Sequence, residues 1–301
     1  MNQYWKKASI VTGCSLFLVA AACGSDDADG DTEEGSVAEE MDYTITGIDP
    51  GAGIMESAEQ AFEDYDLDEW ELQSSSEAAM IAELEEAIDN EEPIVVTGWG
   101  PHWKFNSHDL KFLDDPDLSF GEPEDIHKLA REGLQEDSPE AYEILDNFEW
   151  TVEDMEEIMD DLNEGVDEIE AAQNWIDENE DQVSGWTESV DDVEGETIEL
   201  VHTDWIDLLA SVNVMALVLE DIGYDVEMTL VEASHMYTAI ANGDADAMTG
   251  AWLPRTHGTY YEQIEDEVDD LGPHLEGKAA IGLVVPEYMD IDSIEDLEVE
   301  D

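Results

Sequence analysis

Apolar residues along this chain alternate between two periods. Tyr43-Thr44-Ile45-Thr46-Gly47-Ile48 reads as a strand, Pro50-Gly51-Ala52-Gly53 as a turn, and Ile54 to Tyr65 as a helix. A second strand near Glu71-Leu72-Gln73, a helix from Ser76 to Asn90 and a third strand at Ile94-Val95-Val96-Thr97 follow. The same order then recurs. Thr197 to Val201 is a strand, Leu208 to Ile222 a helix, Asp225 to Leu230 a strand, Ser234 to Asn242 a helix, and Ala247-Met248-Thr249 a strand. The copies share one offset of 153 residues, which carries Thr44 to Thr197 and Trp99 to Trp252. Strand–helix alternation predicts parallel sheets, and the repeat predicts two similar lobes.

Between the copies, roughly Ser119 to Trp186 reads as helical scaffold. Thr151 precedes Val152-Glu153-Asp154 as a capping signal, and Ile158, Leu162, Val166 and Ile169 keep a helical spacing with acids opposite. Ala280 to Pro286 is one more apolar strand, with a short helix from Ser293. The expected division is lobe one at 42–113 with 280–301, and lobe two at 114–279 including the helical segment 119–186.

The N-terminus changes the picture of where the chain works. Lys6 and Lys7 precede an apolar run from Ala8 to Ala22, then Cys23-Gly24-Ser25. That is the pattern of a lipoprotein signal peptide over 1–22, with lipid carried on Cys23 and the chain anchored on the outer face of the membrane. Cys14 leaves with the signal, so no free thiol remains for disulfides, thiolate catalysis or a metal. The polar, acidic stretch 23–41 reads as a disordered tether. Its Asp26 to Asp31 run departs from a calcium loop at Ala28.

Charge narrows the partners. The chain holds 83 acidic against 8 basic residues. Loss of Lys6 and Lys7 leaves six cations. A fold of this size exposes about 12,000 Å², so net charges lie roughly 12 Å apart, close to the Debye length of about 10 Å at 0.1 M salt. Repulsion is therefore appreciable in dilute buffer and nearly screened in brine, which points to a high-salt setting. Nucleic acid is excluded as a partner, because six cations cannot build a phosphate-binding surface.

Three tryptophans stand where the repeats turn from strand to loop: Trp99 in Thr97-Gly98-Trp99-Gly100-Pro101-His102-Trp103, Trp205 in Thr203-Asp204-Trp205-Ile206, and Trp252 in Gly250-Ala251-Trp252-Leu253-Pro254. Indoles at strand ends, where an α/β fold builds its cleft, suit a quaternary ammonium group, which has no N–H to donate and is attracted by ring faces. Trp103 and Trp186 read as packing residues. No phosphate loop, His-Glu-x-x-His helix or Gly-x-Ser-x-Gly elbow occurs, so no catalytic residue, metal or cofactor is expected. With acids everywhere, a carboxylate-pair hydrolase survives only as a generic alternative.

Several multi-residue motifs together resemble the glycine betaine-binding proteins of ABC importers. They are Gly47-Ile48-Asp49-Pro50-Gly51-Ala52-Gly53-Ile54-Met55, the Trp99 segment, Leu219-Glu220-Asp221-Ile222-Gly223-Tyr224, Ala251-Trp252-Leu253-Pro254 with Thr256-His257, and Gly282 to Tyr288. The resemblance runs from about Thr44 to Leu297, in the order of the lipid-anchored Gram-positive form. It implies a two-lobed, type II periplasmic-binding-protein-like α/β fold, each lobe a mainly parallel sheet flanked by helices, with the ligand in the interlobe cleft. It also implies a cage of Trp99, Trp205 and Trp252, and a carboxylate site made by the N–H groups of Gly53 and Ile54 and the side chain of His257. Docking on an ABC permease, with ATP hydrolysed by a separate subunit, is implied as well. The family's acid directly after the cage tryptophan is replaced here: Ile206 follows Trp205 and Asp204 precedes it.

The elementary chemistry agrees. Three desolvated cation–π contacts at about 2 kcal/mol each give about 6, short of the roughly 8 kcal/mol for micromolar binding. Carboxylate contacts must therefore contribute, and a helix N-terminus offers them without side-chain cations. His257 donates a further bond, stronger if protonated. Choline, which lacks the carboxylate, is the alternative ligand. One prediction needs only the charge count: the thermal midpoint rises from low to molar salt, and a flat profile in calorimetric scans refutes the screening argument.

Overall fold

The computed structural model describes residues 37–297. The signal peptide, Cys23 and most of the tether lie outside the described residues. The tether ends earlier than expected. Val37–Glu40 forms one helical turn, and Ala38 is buried in the core with Met41 and Tyr43 packed beside it. These are the first apolar residues after the acidic run, and burying them offsets the cost of ordering.

The repeat is visible in the sheet. β1 (Thr44–Thr46) pairs in parallel with β2 (Glu71–Gln73) and β3 (Val95–Gly100). In the second copy β6 (Thr197–His202) pairs in parallel with β7 (Asp225–Leu230) and β8 (Ala247–Leu253). Helices α1 (Gly53–Asp64) and α2 (Glu77–Asn90) serve the first copy. In the second, α7 (Ile206–Ile222) and α8 (Ala233–Asn242) do so, after α3–α6 in the intervening segment. The first helices start at equivalent positions, Gly53 and Ile206, and Pro101 and Pro254, which follow the third strands, both have cis peptide bonds.

The two parallel trios are joined by antiparallel strands, so the sheet is mixed. β9 (Val268–Pro286) is one continuous strand of 19 residues. Residues 280–286 pair with β3 and with β4 (Leu110–Phe112), whereas 268–279 pair with β5 (Glu124–Arg131). The full order is β2-β1-β3-β9-β5-β8-β6-β7 among the described residues. Each half of the sheet, with its helices, forms a lobe. β9 extends further than the expected strand from Ala280 because its first half, Val268 to Ala279, carries acids and glycines that hide the apolar pattern.

The segment from Ser119 to Trp186 is not helical throughout. β5 occupies residues 124–131, between β8 and β9. Its inward positions include Glu124 and Lys128, both buried, so alternation of apolar and polar residues fails there. Lys128 Nζ donates to the carbonyls of Asp146, Phe148 and Pro273, which satisfies the buried ammonium. Helices α3 (Pro139–Asn147), α4 (Val152–Asn163), α5 (Glu168–Glu178) and α6 (Glu180–Thr187) follow. Thr151 and Asp154 close a reciprocal capping box on α4. Gly165, at φ +85°, ends the run, so Ile169 falls on α5 and is exposed. Trp186 is buried against Phe148 and Trp175, a packing role.

Candidate functional site

Each of the three tryptophans is positioned by a strand end. Trp99 sits near the end of β3, Trp252 near the end of β8, and Trp205 immediately before α7, after β6. Glycines let neighbours close in. A Cβ at Gly98 would overlap Val284, and one at Gly250 would overlap Leu208. The indoles are 4%, 8% and 4% exposed for Trp99, Trp205 and Trp252.

All three rings line one pocket, together with Ile48, Ala52, Gly53, Ile54, Asp207, Thr256, His257 and Ile281. The structure thus brings together every expected ligand-contact residue: Trp99, Trp205, Trp252, Gly53, Ile54 and His257.

One end of the pocket is formed by the start of α1, one residue earlier than the pattern suggested. Its N-cap is Ala52, which has no side chain to cap the helix. The amides of Gly53 and Ile54 have no hydrogen-bond acceptor among the described residues. Such a helix start favours negative charge. Gly53 also has a steric reason: a Cβ would overlap the Thr256 backbone carbonyl from the opposite lobe. Gly51 instead accepts a hydrogen bond from Tyr260 Oη at 2.8 Å.

His257 is buried, and its Nδ1 accepts the Trp252 backbone N–H at 3.1 Å. That bond assigns the ring proton to Nε2. Burial lowers the imidazole pKa to about 4, so His257 donates as a neutral ring and not as the cation that would make the stronger bond. Its ring stacks with Trp205 at 5.9 Å between centroids.

Sequence reasoning missed the acids that hold this arrangement. Trp252 Nε1–H donates to Asp207 Oδ2 at 3.2 Å, and Trp205 Nε1–H donates to Asp49 Oδ2 at 3.2 Å. Asp207 is buried and lines the cavity, while Asp204, the acid beside Trp205, is exposed. An acid in the first turn of a helix ordinarily reads as a solvated complement to the dipole, so the pattern gave Asp207 no distinction. Glu124 was hidden in the segment read as helix. Its carboxylate accepts the backbone N–H groups of Arg255 and Thr256 and the Thr256 hydroxyl, fixing the loop that presents His257.

Contacts cross the cleft throughout. Besides the Trp205–Asp49 bond, Ile206 N–H donates to Glu77 Oε2 at 3.1 Å and Thr259 Oγ1 to Glu56 Oε2 at 3.1 Å. The lobes are therefore closed on one another. No group of metal-ligand side chains occurs among the described residues, and no helix among them is long and apolar enough to cross a membrane.

A two-lobed α/β fold with an aromatic-lined pocket between its lobes is an architecture for binding a small solute, and the sequence places the chain among the substrate-binding proteins of ABC transporters. More narrowly, the chain belongs to the family described as the substrate binding domain of ABC-type glycine betaine transport systems, whose profile matches residues 26–178 and 196–301. It is 49% identical over 285 residues, 94% of either chain, to the glycine betaine/carnitine transport binding protein GbuC of Listeria monocytogenes. An uncharacterized protein, ORF1, of Chromohalobacter salexigens is 31% identical over 97 residues, which cover 32% of this chain and 62% of that one. Among solved structures, lactococcal OpuAC, closed on glycine betaine, matches at 42% identity over 52% of this chain and 61% of that chain, with a TM-score of 0.45.

The depressed His257 value yields a direct test. Its neutral ring supports the fold above the ordinary value near 6.5, and that support is lost as pH falls toward 4. Imidazole nitrogen shifts at about pH 5.5 should report a neutral Nε2–H ring; a protonated His257 at that pH contradicts the buried geometry.

Proposed function

We propose that this chain is the extracytoplasmic receptor of an ABC importer and captures glycine betaine or a closely related betaine. The observation that carries the reading is the convergence of three indoles and a bare helix N-terminus on one pocket between the lobes. The trimethylammonium group would lie among Trp99, Trp205 and Trp252. The carboxylate would accept from the Gly53 and Ile54 amides and from His257 Nε2–H. Family membership and the 49%-identical relative, whose name includes glycine betaine and carnitine, support the same ligand class.

The remaining parts of the reading rest on sequence. Signal peptide 1–22 is removed, Cys23 carries lipid, and an acidic tether holds the domain outside the membrane in concentrated salt. Lobe one comprises 42–113 and 280–301, lobe two 114–279; they close by hinge motion and the closed form docks on the permease. The ATPase is a separate subunit, and the ligand leaves chemically unchanged.

Three measurements test this. Trp252→Ala should weaken betaine binding by at least about 2 kcal/mol, near thirtyfold, and unchanged affinity by calorimetry would remove the cage. Gly53→Ala should weaken it by roughly tenfold or more, because the added methyl meets Thr256 only when the lobes close. The unliganded protein should melt as before. In competition, betaine should displace choline; the reverse outcome sinks the assignment of a carboxylate site.

A further inference from the structure

Directly beside the cavity lies a buried group of charges that the proposed cage does not use. Glu77, His102, Lys104 and Asp207 are all buried, Lys104 and His102 fully so. His102 Nδ1 accepts the Lys104 backbone N–H at 3.1 Å, so Nε2–H donates to Glu77 Oε1 at 3.2 Å. Burial lowers the His102 pKa well below its usual range, and the ring is neutral. Lys104 Nζ donates to the Trp99 carbonyl at 3.3 Å and lies 4.4 Å from the centre of the Trp99 ring. Glu77 comes from α2 in one lobe, and Asp207 from α7 in the other.

The charges do not balance. Two carboxylates face a single ammonium, which leaves one negative charge enclosed when all three are ionised. Asp207 is the carboxylate that lines the cavity. Its Oδ2 accepts the Trp252 indole N–H, so it also orients one wall. A buried uncompensated charge is costly and the group neutralises where it can.

We propose that Asp207, backed by Glu77 and Lys104, is the counter-charge of the cage, so that a quaternary ammonium ion and a proton compete for the closed site. This rests on the proposed ligand class. An empty closed site takes up a proton; a ligand with a fixed positive charge displaces it. Binding therefore releases a proton, and affinity falls as acid neutralises the group.

The direction follows from burial. It raises the Asp207 carboxyl to about 6 and the Glu77 carboxyl as well, and lowers the Lys104 ammonium. For a carboxyl whose value is raised, the negative form that attracts the cation is complete above that value and is lost as pH falls through it. The other titratable groups around the cavity are Asp49 on the Trp205 indole, exposed Asp204 near Glu77, the neutral rings of His257 and His102, Tyr237 against His257, Glu124 beneath Thr256, and Glu56 at the rim. None of these touches Asp207, whose side-chain partner is the Trp252 indole.

The test is isothermal titration of glycine betaine into the purified protein between about pH 5 and pH 8, in molar salt to screen the surface acids. Two buffers of different ionisation heat report proton exchange. Betaine itself has no group that titrates in this range. The expected result is a dissociation constant that rises toward about tenfold per pH unit on the acid side, with buffer-dependent heat showing proton release. Asp207→Asn keeps an acceptor for the Trp252 N–H and removes the charge; it should bind weakly with little pH dependence. Glu77→Gln should reduce the proton release should Asp207→Asn fail to fold. Betaine binding with flat affinity and no buffer-dependent heat overturns the counter-charge while leaving the cage standing. No binding at any pH overturns the ligand assignment and this inference with it.

Discussion

Indole rings carried on opposite lobes can enclose a small cation only if their backbones meet with little between them. That close approach is the constraint on which the site depends. Gly53 meets it across the cleft at the Thr256 carbonyl, while Gly98 against Val284 and Gly250 against Leu208 allow the same tight packing behind the rings within each lobe. Polar atoms caught there lose water, and two of the three indole N–H groups find an acceptor, whereas that of Trp99 is buried without one. Asp49 takes the Trp205 indole N–H, Asp207 that of Trp252, and Glu77 the free amide at the start of α7. The walls and the acids behind them are thus one assembly.

Much of this was legible from residue order. The two parallel trios and their helices follow from periods of 2 and 3.6 residues repeated at a fixed offset, and the strand-end tryptophans stand out because large apolar residues there have a cleft to line. What escaped has a common cause. β5 buries Glu124 and Lys128, and the first half of β9 mixes acids with glycines, so neither shows the alternation that marks a strand. Asp207 and Glu124 were hidden by number: in a chain with 83 acids, a buried carboxylate has no signature until its neighbours are known. His257 lines the pocket as the motif suggested, but its neutrality depends on burial, which its sequence neighbours do not reveal.

The sparse cations are spent unevenly. Lys104 and Lys128 are buried in the interior and bonded to backbone carbonyls, so two of the positive groups do nothing for the surface. Lys111 and Arg131 are held by Asp292 and by Asp137 and Asp246. The exterior is therefore more uniformly negative than the composition suggests, and relies on dissolved ions for its screening.

β9 belongs to both lobes, and this has a mechanical meaning. It exchanges β5 for β3 as its partner between Ala279 and Ala280. Just before that exchange the ladder is irregular: Ile126 faces Leu275 and Glu124 faces Ala279, so Glu276, Gly277 and Lys278 form slack, with Gly277 at φ +63°. β9 thus couples the two half-sheets through a few irregularly paired residues, where the Gly277 N–H is taken by the Asp125 carboxylate instead of a strand carbonyl. A bend confined to that point would leave both ladders paired, so the two half-sheets could change their angle at little cost in backbone hydrogen bonds.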